Sequence, residues 1–225
     1  MEAKYQRIKE IVEKELSCSA HDMEHVIRVY NLCLHLAKHE PGIDLDVLKT
    51  AALLHDIARV KEFKNKTGSI DHAALGAEMA ERLLITLGYS EEKIVHIKHC
   101  IAAHRYRREV KPQTKEAKIL FDADKLDVLG AIGVARSFMI AGQYGQKIDS
   151  DTSIEEYFRE NVVGEKADGR IKDISKHAPN LEFELKFKHI PERLYTQKAR
   201  EMAEERLHFM ENFFERLKTE MKGEL

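Results

Sequence analysis

Apolar residues recur at helical spacing along almost the whole chain, and this pattern leaves little room for any other architecture. Val26, Val29, Tyr30 and Cys33 form one stripe, and Ala77, Ala80, Leu83, Leu84 and Leu87 form another. Only 4 prolines and 11 glycines occur in the chain, and they sit at the joints between stripes. "PGID" at 41–44 closes one helical pattern and supplies Asp44 as a cap for the next. Gly88 closes another, with Ser90 as the following cap and Glu91 and Glu92 in the first turn. Ser153 with Glu156 makes a capping box, and Pro191 suits a first helical position. These signals predict helices at about 3–16, 22–39, 45–58, 72–87, 91–106, 115–141, 153–162 and 191–220. The stretch "LEFELKFKHI" at 181–190 instead alternates with a period of two, which admits a short strand or hairpin arm, and 163–180 reads as a long loop. The expected fold is all-α.

At 225 residues, 43% hydrophobic and 34% charged, the chain fits one large domain with a substantial core and well-solvated helix surfaces. A net charge of -2 gives no electrostatic footprint for nucleic acid or for an anionic membrane, so neither is expected as a partner. Cys18, Cys33 and Cys100 are too few and too scattered for a disulfide framework, which predicts a reducing, cytoplasmic setting. The opening "MEAKYQRIKE" has no signal-peptide core, and no apolar run approaches about 18 residues, the length of a membrane span.

The candidates for chemistry are spread over several predicted helices. His21, Asp22 and His25 open the second, and His21 and His25, four apart, share a face. His55 and Asp56 interrupt the apolar run "AALLHDIA", where a carboxylate is costly to bury without a strong partner. His72, His104 and the acidic run "FDADKLDVLGAIG" at 121–133 follow. His21 reads as a cap or surface residue, and His96 with His99 as a solvated face. His35, His39, His177, His189 and His208 carry no local pattern.

The acidic run is the harder feature to explain as surface. Asp122, Asp124 and Asp127 lie among Ile119, Leu120, Phe121, Leu126, Val128 and Leu129, a helix apolar on most faces and therefore expected to be buried. On a continuous helix Asp124 and Asp127 would stand about 60° apart, with Asp122 pointing roughly the other way. Carboxylates on one stripe of a buried helix repel unless a cation or donor sits between them. Gly130, Ala131 and Gly133 would let another helix or a ligand approach that side.

The order of these elements, H…HD…H…H…D, resembles the HD-domain metal-dependent phosphohydrolases. The matching stretches are "HDMEHVIRV" with His25, "LLHDIARVKE" with His55 and Asp56, "DHAALGAEMA" with His72, "IAAHRYR" with His104, and "FDADKLDVLGAIGVAR" with Asp124. They cover about residues 20–136, and "LYTQKAREMAEERLHFMENFF" at 194–214 is similar to the C-terminal helix of small bacterial and archaeal members. The resemblance implies one HD-type domain over 1–225, a helical bundle with the metal site at its centre. Its core would span about 20–140, with a helical C-terminal extension about 150–225 that includes the short hairpin arm.

It further implies that His25, His55, Asp56 and Asp124 hold a divalent ion, with Asp122 as the alternative to Asp124. Imidazoles combined with carboxylates suit Mn, Fe, Co, Ni or Zn better than an oxygen-only site, and Mg belongs in any activity screen. One ion is favoured, with a second at His72 and His104 as a variant known among relatives. His72 and His104 otherwise serve as general acid or as water-orienting groups. Arg28, Arg59, Lys61, Arg105 and Lys125 have the chemistry to hold phosphate, Lys61 and Lys125 foremost because each closely follows a metal ligand. Asp127 would steady a ligand histidine or a sugar hydroxyl.

One departure stands out. Several relatives carry an acid three or four positions after the His-Asp pair, where this chain has Arg59 and Val60, and its first acid there is Glu62. The scheme left by the resemblance is simple: metal-activated water gives its proton to Asp56 or a neighbouring histidine and attacks phosphorus. The expected substrate is a small phosphorylated metabolite, with nucleoside triphosphates favoured because relatives with a similar "DADKLD" run include pyrophosphohydrolases. The competing readings are a non-catalytic nucleotide- or metal-binding signalling module and a di-iron oxygenase of HD type.

Overall fold

The computed structural model describes residues 2–16, 23–65, 67–105, 110–164 and 170–224. It divides into two compact units, Met1–Asp124 and Lys125–Leu225.

In the first unit the helices are α1 (Ala3–Leu16), α2 (Met23–Ala37), α3 (Leu45–Leu54), α4 (Arg59–Lys64), α5 (His72–Thr86) and α6 (Glu91–Ala103). Helix α7 (Lys115–Leu126) carries its last carboxylate of the unit at Asp124. Helix α3 is buried nearly all round, through Val47, Leu48, Thr50, Ala51, Ala52, Leu53 and Leu54, and it packs against α1, α2 and α6. The neighbours contribute single stripes, such as Tyr5, Ile8, Val12 and Leu16 on α1. Side chains close the helix starts as expected. Asp44 accepts from the amides of Asp46 and Val47, Asp71 from Ala74 at 2.8 Å, and Ser90 from Lys93.

The helix expected at 45–58 breaks. Helix α3 ends at Leu54, residues 55–58 form a turn, and α4 starts at Arg59. The break has a geometric consequence, because neighbours on a helix point 100° apart whereas a turn can aim both inward. The helix expected at 91–106 ends at Ala103, and its predicted last residue lies outside the described residues.

In the second unit α8 (Gly130–Gln143) packs on α11 (Gln197–Met221), with α9 (Ile154–Asn161) and α10 (Pro179–Leu185) alongside short 3-10 turns. The helix expected over 115–141 is likewise two helices, separated at 127–129. Gly130 has φ +72, a backbone conformation that side-chain-bearing residues rarely adopt, and a Cβ there would press on the Arg206 side chain. A Cβ at Gly133 would collide with the Val128 carbonyl. The glycines therefore serve the sharp entry into α8 and its approach to α11.

The hairpin expected at 181–190 is not there. That stretch forms α10 and a 3-10 turn, while a two-stranded antiparallel pair, β1 (Val162–Val163) with β2 (Arg170–Ile171), lies in the predicted loop. The alternation misled because α10 is covered on two sides. Leu181 and Leu185, four apart, join a small core with Tyr157, Val162 and Ala178, while Phe183 faces Phe214 at 5.0 Å between ring centres. Two opposite apolar faces on a short helix produce a period of two. Pro191 begins a 3-10 turn rather than the long final helix, which Thr196 caps instead. Among the described residues no single helix is long and apolar enough to cross a membrane.

Leu53 is fully buried in the central helix, so Leu53→Ala leaves a cavity and lowers stability by about 2–5 kcal/mol. Ile85→Ala, at a position 62% exposed, changes it by less than about 0.5 kcal/mol. Urea denaturation of the two variants checks the contrast.

Candidate metal centre

Four histidines and Asp56 meet inside the first unit, each delivered by the end or first turn of a helix. His25 sits in the first turn of α2, His55 and Asp56 occupy the turn after α3, His72 opens α5, and His104 caps α6. All are buried, between 0% and 6% exposed. The five residues form two groups that share Asp56: His25, His55 and Asp56, and Asp56, His72 and His104.

The distances show how one carboxylate serves both. Asp56 Oδ2 stands 3.7 Å from His25 Nε2 and 3.9 Å from His55 Nε2. Its Oδ1 stands 3.4 Å from His72 Nε2 and 3.6 Å from His104 Nε2. Within each group the imidazoles approach each other at 3.3 Å and 3.2 Å between Nε2 atoms. Asp124 Oδ1, on α7, completes the first group at 3.3 Å from His25 Nε2.

The ring nitrogens facing away from Asp56 are spoken for. His55 Nδ1 donates to the Ala52 carbonyl at 2.8 Å, and His104 Nδ1 donates to the Ile101 carbonyl at 2.6 Å. Both partners lie three residues back, in the last turn of the preceding helix. His72 Nδ1 lies 2.7 Å from Glu62 Oε2. With the proton held at Nδ1, Nε2 of His55 and of His104 presents a lone pair inward, one in each group. Lone pairs converging at such distances repel unless a cation lies among them. Donors about 2.1 Å from an ion stand about 3.0–3.4 Å from one another along the edges of an octahedron or tetrahedron. The observed separations fit that range or lie slightly beyond it, so the donor set suits a divalent metal.

Electrostatics agree. Burial, then the neighbouring imidazoles His104 and His25, pulls His55 down to about 4, although Asp56 opposes them. Burial and His104 likewise lower His72 to about 4. Burial alone would raise Asp56, yet the facing imidazoles, His55 foremost, hold its carboxyl well below the usual range. Near neutrality His55 and His72 are therefore uncharged and Asp56 is ionised, the protonation state a metal requires of such ligands.

Other sequence candidates lie elsewhere. Lys61 pairs with Glu15 at 2.6 Å on the exposed side of α4. Once that helix restarts at Arg59, Lys61 points about 200° away from Arg59 and does not join the residues around Asp56. Arg28 is partly exposed near Glu24, at 3.7 Å. Asp122 is fully buried on α7. Lys125 and Asp127 belong to the second unit, where Asp127 is buried and accepts from Arg136 of α8 at 3.0 Å. The predicted stripe of Asp124 and Asp127 fails because the helix ends between them, at Leu126. His21 and Asp22 lie outside the described residues.

Glu62 and Asp71 had no assigned role in the sequence, yet both stand beside the histidines. Glu62 accepts from Arg59 at 2.8 Å and from Arg105 at 2.7 Å, and Arg105 also donates to Asp71. The available signal was the i,i+3 spacing of Arg59 and Glu62 on a helix that starts after the His-Asp pair.

A family model, the HD domain, matches residues 22–129, which include every one of these histidines. The uncharacterized protein YpgQ of Bacillus subtilis is 30% identical over 211 residues, covering 91% of this chain and 86% of its own. The chain belongs to the HD-domain family. Its His-Asp dipeptide is His55–Asp56, at the junction of both groups. The crystal structure of an HD-superfamily hydrolase from Bacillus thuringiensis superposes with a TM-score of 0.70 at 27% identity, covering 97% of each chain. The crystal structure of B. subtilis YpgQ in complex with ADP gives a TM-score of 0.70 at 28% identity, covering 98% of this chain and 100% of that one. The HD-domain membership and the donor set together make the chain a metal-dependent phosphohydrolase.

Burying uncharged imidazoles has a measurable pH signature. Between the ordinary 6.5 and about 4 the unfolded chain binds more protons at His55 and His72 than the folded one does. Stability of the chelator-treated protein is thus complete above 6.5 and falls as pH drops toward 4. Melting temperatures measured across that window check this, and a flat profile contradicts it.

Proposed function

We propose that the enzyme hydrolyses nucleoside triphosphates to a nucleoside monophosphate and pyrophosphate, using two divalent ions, one in each group around Asp56. The observation that carries this reading is the division of Asp56 between two sets of imidazoles, with one oxygen facing each. Separate oxygens on one carboxylate can hold two ions as neighbours while adding only one negative charge. Manganese is the first candidate, because mixed imidazole and carboxylate donors suit it and leave open positions for substrate.

His25, His55, Asp56 and Asp124 would hold one ion, and Asp56, His72 and His104 the other. When bound, such ions polarise a phosphoryl oxygen and acidify water. The protein's own part is positional. The Nδ1 protons of His55 and His104 are fixed on backbone carbonyls, so neither ring can rotate without losing a buried hydrogen bond. The buried imidazoles exclude bulk water, which strengthens charge interactions with an incoming phosphate. Arg28, one turn beyond His25, supplies cationic chemistry for the remaining phosphates. Lys61 is left out of this role because of its pairing with Glu15.

The choice of a nucleotide is supported by YpgQ, which has been crystallised with ADP. A cytoplasmic setting belongs to the same reading, supported by Cys33 and Cys100, both buried free thiols.

Phosphorus NMR of a completed reaction with each nucleoside triphosphate and manganese tests the assignment. Pyrophosphate as the initial product, lost by at least about 1000-fold in rate for Asp56→Ala, is the expected result. Orthophosphate as the sole initial product would mean that the wrong bond has been assigned.

A further inference from the structure

The two groups around Asp56 differ in what stands behind them. In the first, His55 leans on a backbone carbonyl, an arrangement that no side-chain substitution removes directly. In the second, His72 leans on a side chain. Its Nδ1 lies 2.7 Å from Glu62 Oε2, and of the bonds open to that nitrogen, donation to the carboxylate is the one that leaves Nε2 with its lone pair toward Asp56.

Glu62 is itself held from two directions. Arg59, three residues earlier on α4, donates to Oε2 at 2.8 Å, and Arg105 donates to Oε1 at 2.7 Å. The same Nη1 of Arg105 also reaches the carboxylate of Asp71. Asp71 caps α5 by accepting from the Ala74 amide, and His72 is the first residue of that helix. Arg105 also follows His104 directly in the chain. One guanidinium thus ties together the cap beneath the His72 backbone, the carboxylate behind the His72 ring and the residue next to the second imidazole of the group. Arg59 Nη1 stands 2.9 Å from His72 Nδ1, so a protonated ring would set two cations against each other.

We infer that Glu62 and Arg105 are positioning residues for the second group alone, setting its hold on an ion independently of the first. The inference rests on the two-ion reading given above. Glu62 takes no part in contact with His25, His55 or Asp124 in the structure's hydrogen bonds and ion pairs among the described residues. Its loss should free His72 to rotate while leaving His25, His55 and Asp124 in place. Partners that orient metal-binding histidines typically account for about 10–100-fold in metal affinity.

Calorimetric titration of the chelator-treated full chain with manganese decides the matter, followed by electron paramagnetic resonance of the loaded samples. The wild type should take up two ions per chain and show the exchange-coupled signal of a manganese pair bridged by a carboxylate. Glu62→Gln, which keeps shape and one acceptor but not the charge, should weaken only the later binding step, by about 10-fold, and Glu62→Ala by about 100-fold. At limiting manganese both variants should show the signal of isolated ions. Arg105→Met, which keeps the length of the side chain but can donate to neither Glu62 nor Asp71, should weaken the same step by a smaller factor. Equal weakening of both steps, or an unchanged second step with the pair signal intact, would overturn the inference. A wild type that binds a single ion would instead overturn the two-ion reading beneath it.

Discussion

Everything in the first unit depends on one buried carboxylate. Asp56 is 6% exposed and stands between His25 and His55 on one side and His72 and His104 on the other. An ionised carboxylate costs several kcal/mol to remove from water unless it is compensated. The facing imidazoles, His55 foremost, hold the Asp56 carboxyl well below its usual range, and a divalent cation among the donors would offset its charge further. In the HD-domain family the dipeptide is the name of the fold, and in this chain it is also its electrostatic centre.

The helices are built around delivering side chains to that point. Helix α3 is buried on most faces and ends where the dipeptide begins. Carbonyls in the last turn of a helix are open to side-chain donors, and two of the histidines use them to fix their rings. Two helix starts supply the others: His25 lies in the first turn of α2, and His72 opens α5 behind its Asp71 cap. A site assembled from helix termini lets consecutive residues such as His55 and Asp56 aim at one place, which the interior of a helix forbids.

Much of this was legible in the sequence. Helical periodicity and caps placed the starts of α1, α2, α3, α5, α6, α7 and α9 to within one residue, and the order of His25, His55–Asp56, His72, His104 and Asp124 carried the family. The failures have physical causes. Periodicity carried straight through 55–58 and 127–129, because apolar residues continue across both turns and neither contains a proline or glycine. Lys61 follows Asp56 closely in sequence, but with the helix restarting at Arg59 it pairs with Glu15 on the exposed side while Glu62 meets His72. With the second turn unseen, Asp127 seemed to share a stripe with Asp124. Alternation at 181–190 read as a strand because α10 is covered on opposite faces, a tertiary fact that no local pattern records.

In the proposed two-ion reading Asp56 lies between two ions and gives one oxygen to each. Anomalous diffraction from crystals grown with manganese tests it most directly. Two peaks about 3.5–4 Å apart, the spacing of two-metal phosphoryl-transfer centres, should flank Asp56, one against His25 and His55 and the other against His72 and His104. A single peak, or peaks that do not touch both oxygens of Asp56, would contradict it.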